Sequence, residues 1–324
     1  MEIIKSGLHT TIQDIGRVGC YHLGVPPSGA ADKKSYILGN ILIGNPKEYA
    51  ALEMKLQGCT IKFSDENILV VTGAPVTIRL NNKNQNMWEV FKVNEDDILE
   101  IKKIESGVFS YLCISGGIKS PSMFGSQSTC LASDFPGIIG RALLPGDFLE
   151  LPGPLPGANR LIKESLSKEA IPLFTDEIKI RIVLGITSDL ISDEGLVSIL
   201  NDSWSVQADS NKVAYRLRGG KVTYKKVKPP FGSGGELGNI VDIPYPIGAV
   251  IIPNDKEIII LLNNGTGGGG FVTVGAIIWS DVNRLAQMRP SSKIEFEAIT
   301  IEQAMIIRKE ENDLIENVKR SMKI

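Results

Sequence analysis

The sequence has no hydrophobic run approaching the ~20 residues that a helical membrane span needs. Its opening, MEIIKSGLHTTIQD, lacks the apolar stretch of a secretion signal. These absences predict a cytoplasmic protein with no membrane partner. Histidine is nearly missing, with only His9 and His22, and the four cysteines (Cys20, Cys59, Cys113 and Cys130) stand far apart without a CxxC pair. So few ligands give no basis for expecting a metal site, and disulfides do not suit a cytosolic chain. An excess of one charge is also lacking. A formal net charge of -2 offers no basic face able to displace counterions from nucleic acid, so the expected partners are small molecules or proteins.

What remains is ordinary globular material, 43% hydrophobic and 22% charged over 324 residues, enough chain for two cores. Asp32 is placed to cap a helix running through Tyr36, Leu38, Ile41 and Leu42, with Gly44 ending it. Short β-branched runs then dominate: ALEMKL (51–56), CTIKF (59–63), NILVVTG (67–73), VTIRL (76–80), MWEVF (87–91), DILEIKK (97–103) and VFSYLCI (108–114). This spacing, with no long helices between, predicts an antiparallel sandwich or barrel and argues against a Rossmann sheet. The breaker PGPLPGAN (152–159) predicts a boundary between an N-terminal β-rich lobe, 1–155, and a C-terminal one, 156–324. The second lobe continues through EIKIRIVLG (177–185), a short helix near 192–200, GAVIIP (248–253) and EIIILLN (257–263). RALLPGDFLEL (141–151) and MRPSSKIEFEA (288–298) each set an Arg and a Pro-containing turn before an alternating strand, a hint of duplication. A capping box at Thr300 and Gln303 opens a C-terminal amphipathic helix whose stripe includes Ile301, Met305, Leu314 and Val318. The fold class is therefore mainly β, a β-rich α+β chain with a few short helices.

Three polar, glycine-bearing stretches stand out, and a common site requires them to converge on one pocket. TTIQDIGRVGCYHLGVPPSGAAD, ending at Asp32, reads as an ordered loop. Asp14 and Arg17 can pair across a turn, leaving the guanidinium to hold a carboxylate or phosphoryl oxygen, or merely to staple the loop. Pro27, Ser28 and Gly29 either expose backbone N–H groups to an anion or serve only as a helix entry. GSQSTCLASDFPGIIGRALLPGD (125–147) gathers Ser126, Gln127, Ser128, Thr129, Gly137, Gly140 and Arg141. With no histidine or lysine nearby, its serines lack the activation a nucleophile needs. NNGTGGGGFVTVG (263–275) follows a hydrophobic strand and suggests a flexible loop, but lacks the lysine of a phosphate-binding loop.

Together with GN (44–45), ALE (51–53), VTGA (71–74), ISGGI (114–118), GSxST (125–129), GRAL (140–143), PGD (145–147), YRL (215–217) and LAQMRP (285–290), the opening motif resembles a known family. That family contains the C component of ATP-dependent 5-oxoprolinase, the KipI antagonist, allophanate hydrolase subunit 2 and the A part of the urea carboxylase carboxyltransferase domain. The resemblance implies cyclophilin-like lobes and a complex with two further oxoprolinase components, a KipI-like one (B) and a third (A). It implies one of three tasks: ATP-dependent opening of the 5-oxo-L-proline lactam to L-glutamate, carboxyl transfer from biotin to urea or another amide, or antagonism of a KipI-like kinase inhibitor by binding. ATP is implied for the assembled complex, biotin only for the second task. The candidate catalytic residues are then Gln13, Asp14, Arg17, Arg141 and Asn264, with Ser28, Gly29, Ser128, Thr129, Thr266, Gly269 and Gly270 as substrate- or anion-binding residues. Where relatives read SDRMGYRL and DRQTTGGYPK, this chain has SNKVAYRL (210–217) and NGTGGGGFVT (264–273). Asn211, Asn264 and Phe271 thus replace two acids and a tyrosine, and an amide cannot hold charge as a carboxylate does.

Overall fold

A computed structural model describes residues 1–135 and 140–322; Gly137, in the second polar stretch, lies outside the described residues. The chain divides into two units, the first comprising Met1–Gly19, Pro27–Phe174 and Asn312–Ile324, the second Cys20–Pro26 and Thr175–Glu311. PGPLPGAN lies within the first.

In the first unit, strands β1 (Glu2–Lys5), β4 (Thr60–Lys62), β9 (Ile98–Ile104), β6 (Val76–Leu80) and β7 (Lys83–Gln85) form one five-stranded sheet in that order. A second follows the order β2 (Thr10–Gln13), β3 (Ala51–Lys55), β10 (Phe109–Ile114), β5 (Asn67–Gly73) and β8 (Phe91–Val93). Ile3, Ile61 and Leu99 from the first sheet join Ile12, Leu52, Leu69, Val71 and Leu112 from the second in one core. Helix α1 (Lys33–Leu42) packs on β5 and β10, which is why β5 is buried along its whole length and reads as a continuous apolar run without alternation. The Asp32 cap is present: its carboxylate accepts from the Ser35 N–H at 3.0 Å.

Three strand expectations are corrected. Of MWEVF only Phe91 lies in a strand, β8; residues 87–90 do not, because Trp88 takes a left-handed φ of 59° and its N–H turns to the Val71 carbonyl at 2.8 Å. Burial of the indole outweighs the local β propensity. The FLEL end of RALLPGDFLEL makes an isolated bridge, Glu2 to Phe148, with no extended ladder. Conversely, Thr10–Gln13, read as the start of a loop, is β2; all four residues are buried, so its polar side chains hide the strand signal.

In the second unit, β11 (Glu177–Leu184), β12 (Trp204–Val206), β13 (Ala214–Arg218), β15 (Ala249–Asn254), β16 (Glu257–Leu261), β18 (Thr273–Ile277) and β19 (Lys293–Ala298) close a barrel in the order β11-β18-β15-β16-β13-β12-β19. The seam between β11 and β19 is parallel. A separate antiparallel pair joins β14 (Asn239–Pro244) to β17 (Gly268–Phe271). Helix α2 (Asp193–Asn201) begins at Ser192, whose hydroxyl accepts from Gly195 N–H at 3.1 Å; α3 (Trp279–Ala286) and α4 (Ile301–Ser321) follow. The capping box is formed, with Gln303 N–H on Thr300 Oγ1 at 3.3 Å and Thr300 N–H on Gln303 Oε1 at 2.9 Å. The start of the α4 stripe stays in solvent, Ile301 at 59% and Met305 at 67% exposure.

Asp281 on α3 is wholly buried and accepts from the backbone N–H (2.8 Å), Nε (2.9 Å) and Nη2 (2.7 Å) of Arg181, and from Arg284 Nη1 at 3.0 Å. Burial pushes its pKa up, but the Arg181 hydrogen bonds and the two guanidinium charges together hold it below the usual carboxylate value. A carboxyl group with a lowered folded-state pKa stabilises fully above its unfolded value, about 3.9, and that contribution is lost as pH falls through the folded value. Urea titrations are accordingly expected to show the second unit weakening below about pH 4, with Asp281→Asn flattening that dependence. Parallel wild-type and variant curves down to acid unfolding would contradict it.

Candidate functional site

The first site grows out of the end of β2. Pairing of Thr11 with Glu53 and Gln13 with Ala51 brings the chain out of the sheet at Asp14. There one carboxylate gathers two distant loops. Asp14 Oδ1 accepts from Gly16 N–H at 2.8 Å, from Ser126 Oγ at 2.7 Å and from Ser128 Oγ in close contact, and Oδ2 accepts from Gln127 N–H at 2.6 Å. The returning segment 27–30 lies alongside: Arg17 N–H reaches Pro27 O at 2.6 Å and Ala30 N–H reaches Asp14 O at 2.9 Å. Such close approach needs a bare backbone at Gly16, with φ of 98°, where a Cβ would sit 2.7 Å from Pro27 O.

Arg17 is fully buried. Its Nε donates to Met123 O at 3.2 Å and Nη2 to Ser128 O at 2.6 Å, and the guanidinium lies 5.0 Å from the Phe135 ring centre. Gln13 Nε2 donates to Thr129 O at 2.9 Å and Thr11 Oγ1 at 3.0 Å. The structure therefore brings Gln13, Asp14, Arg17, Ser28, Gly29, Ser128 and Thr129 together in one buried polar knot. Three of its atoms, Gln13 Oε1, Ser28 Oγ and Thr129 Oγ1, are buried without a hydrogen-bond partner among the described residues. Arg141 is directed elsewhere: both guanidinium nitrogens clasp Asp147, Nη1 to Oδ2 at 2.7 Å and Nη2 to Oδ1 at 2.8 Å. Those bonds hold the Asp147 pKa below the ordinary range, against a smaller opposing effect of desolvation.

Beside the knot lies a cluster that sequence reasoning missed. Glu53 Oε2 accepts from Ala31 N–H at 2.7 Å and Tyr111 OH at 2.9 Å, while the Tyr111 oxygen accepts from Asp32 N–H at 2.8 Å. Burial first, then the charges of Glu53 and Asp32, raise the Tyr111 pKa well above normal, keeping it a neutral donor. Tyr36 meets Tyr111 edge to face at 6.2 Å and is also held protonated, by burial first and Asp14 second. The available signal was an acid inside ALEMK, flanked by apolar residues on a strand whose two faces are both covered.

In the second unit the glycine stretch is a correction, since Gly268–Phe271 forms β17 where a flexible loop was expected. Its glycines admit aromatic rings. A Cβ on Gly269 would lie 2.7 Å from the Tyr245 ring, and one on Gly267 would lie 2.6 Å from Tyr21. Tyr245 OH accepts from Phe271 N–H at 2.7 Å and donates to Phe271 O at 3.0 Å, fastening the ring over the strand. Gly270 lies on the same strand, the exposed Thr266 donates to Gly268 O at 3.0 Å, and Asn264 N–H donates to Lys212 O at 2.9 Å. Asn264 Oδ1 and Tyr21 OH are buried without a partner among the described residues. Asn211 is exposed and shapes a turn, its Oδ1 accepting from Val213 N–H at 2.7 Å.

Among the described residues no group of three His, Cys, Asp or Glu side chains is placed to hold a metal ion, and no helix is long and apolar enough to cross a membrane. The Ser126 and Ser128 hydroxyls are donated to the Asp14 carboxylate, with no histidine in these contacts. Fold and site together define a β-rich protein with a buried cluster of hydroxyls, amides and backbone groups in its first unit. The chain belongs to the family described as carboxyltransferase domain, subdomain A and B, whose profile matches residues 23–298. It is 32% identical to the urea amidolyase of Lachancea kluyveri over 98% of its own length, but spans only 18% of that protein. It is 28% identical to the C component of 5-oxoprolinase from Haemophilus influenzae, covering 99% of this chain and 98% of that one. The crystal structure of the K. lactis urea amidolyase superposes with a TM-score of 0.90 at 30% identity, over 98% of this chain and 20% of that one.

Proposed function

We propose that this protein is one component of an ATP-dependent lactam hydrolase of the 5-oxoprolinase type, opening 5-oxo-L-proline to L-glutamate with a KipI-like B component and an A component. The observation that carries the reading is the set of buried, unsatisfied neutral groups at Gln13, Ser28 and Thr129. Buried polar atoms of this kind call for a partner, and an acceptor beside two hydroxyls complements the N–H and C=O of an uncharged amide. Alignment with the C components of two 5-oxoprolinases along nearly the whole of both chains supports it. An amide is a poor electrophile, so phosphorylation of its oxygen by ATP would make the carbon attackable, a step served by positioned donors. β17 pairs antiparallel with β14, and ATP is proposed for the assembled complex.

Combining the chain with the A and B components is expected to give ATP-dependent glutamate release that stops when this chain is omitted. Silence of the complete set, beside an active control set, removes the reading. A second reading, carboxyl transfer from biotin to urea or another amide, is favoured by the TM-score of 0.90 to a urea amidolyase. It requires urea-dependent loss of the carboxyl group from carboxybiotin in the presence of this chain.

A further inference from the structure

We infer that the first unit carries a separate binding site for a small zwitterionic α-amino acid. A cavity of about 520 Å³ opens beyond the end of β10, within the range of roughly 300–1,000 Å³ typical of small-ligand sites. One wall is the backbone of Gly116 and Gly117, both left-handed at φ of 82° and 76°, with the Tyr49 ring packed beside Gly117. Lys119 and Glu150 stand on the lining. Their backbones are tied by Lys119 N–H on Glu150 O at 3.1 Å, so a cation and an anion are held side by side. The two side chains pair with each other at 60% and 67% exposure. Ion pairs so exposed contribute at most about 1 kcal/mol, so exchanging them for ligand groups costs little.

Ser120 adds a hydroxyl oxygen that is buried and has no partner among the described residues. Gln127 closes the floor, its Nε2 donating to Ile118 O at 3.1 Å and Ser120 O at 3.0 Å, while its N–H is the one bound to Asp14. A ligand matching adjacent positive and negative groups must carry a carboxylate and an ammonium within a bond or two of each other. That pattern is the head of an α-amino acid, with Ser120 available to its carboxylate. A phosphate or a dicarboxylate without an amine would meet Glu150 as a like charge.

The choice of probe rests on the lactam-hydrolase reading: hydrolysis converts a lactam with no ammonium into an amino acid that has one, so the site would separate L-glutamate from 5-oxo-L-proline. Calorimetric titration of the full chain is expected to show L-glutamate binding about tenfold more tightly than 5-oxo-L-proline. Lys119→Met should weaken glutamate about tenfold, and Glu150→Gln should erase the preference over the lactam. Both positions are largely exposed, so the variants are expected to keep the parent circular dichroism spectrum. Binding that follows this pattern supports the site even if the reconstituted enzyme is silent on 5-oxoproline. No binding of glutamate, glutamine or alanine at millimolar concentration, or affinities unchanged in both variants, overturns it even if that enzyme is active.

Discussion

Asp14→Ala is expected to destabilise the first unit by about 3–5 kcal/mol. Four donors converge on this carboxylate, and two of them, the N–H groups of Gly16 and Gln127, belong to backbone that cannot rotate away. Each buried donor stranded without an acceptor costs about 1–3 kcal/mol, while the serine hydroxyls recover part of their loss by turning to neighbouring carbonyls. Asp14→Asn should cost less, because one oxygen remains and only the oriented amide N–H₂ opposes a donor. Hydrogen exchange read on peptides spanning 10–32 and 123–130 localises the effect. Both segments should lose protection together, since one side chain holds them. Loss confined to one segment, or a change under about 1 kcal/mol, would show that the loops are held by something else. If the lactam-hydrolase proposal holds, Asp14 is expected to act by positioning its loops, so that Asp14→Asn raises KM for the lactam more than it lowers kcat.

Gly269→Val is the second large effect, expected at about 3 kcal/mol within the second unit. The added Cβ alone would lie 2.7 Å from Tyr245 Cε2, and that ring cannot step aside while its hydroxyl both accepts from and donates to Phe271. Displacing it breaks both bonds and loosens β17 from β14. Faster exchange at the Phe271 amide and at least about a tenfold loss of glutamate release are expected, the latter corresponding to ~1.4 kcal/mol in the barrier. A double-mutant cycle isolates the cause. If the clash is responsible, Tyr245→Leu with Gly269→Val should cost clearly less than the two changes summed, whereas additivity would place the damage elsewhere.

These expectations show how unevenly the site could be read from the chain. The Asp32 cap, the Thr300–Gln303 box and strands such as NILVVTG follow from interactions among residues a few positions apart, which sequence displays directly. Asp14 and Arg17 were legible as chemistry but their partners were not. A pairing across a turn was one expectation, yet the Asp14 bonds run to Gly16, Ser126, Gln127 and Ser128, and those of Arg17 to Met123 and Ser128. Glu53 reads only as part of a strand because the groups that bury and bond it, Ala31 N–H and Tyr111 OH, come from distant parts of the chain. The glycine run misled in another way, since glycine signals freedom in isolation while here it makes room for Tyr245 and Tyr21.

By itself, the sequence determined that the chain is β-rich, that three of its helices begin near Asp32, Ser192 and Thr300, and that polar stretches gather near Asp14, Ser128 and Asn264, because propensity, capping and turn preferences are local energies. Only the tertiary structure decided which of those groups meet, which are satisfied and which stay unpaired, because burial removes the competing water and makes the energy of each polar atom depend on neighbours more than a hundred residues away.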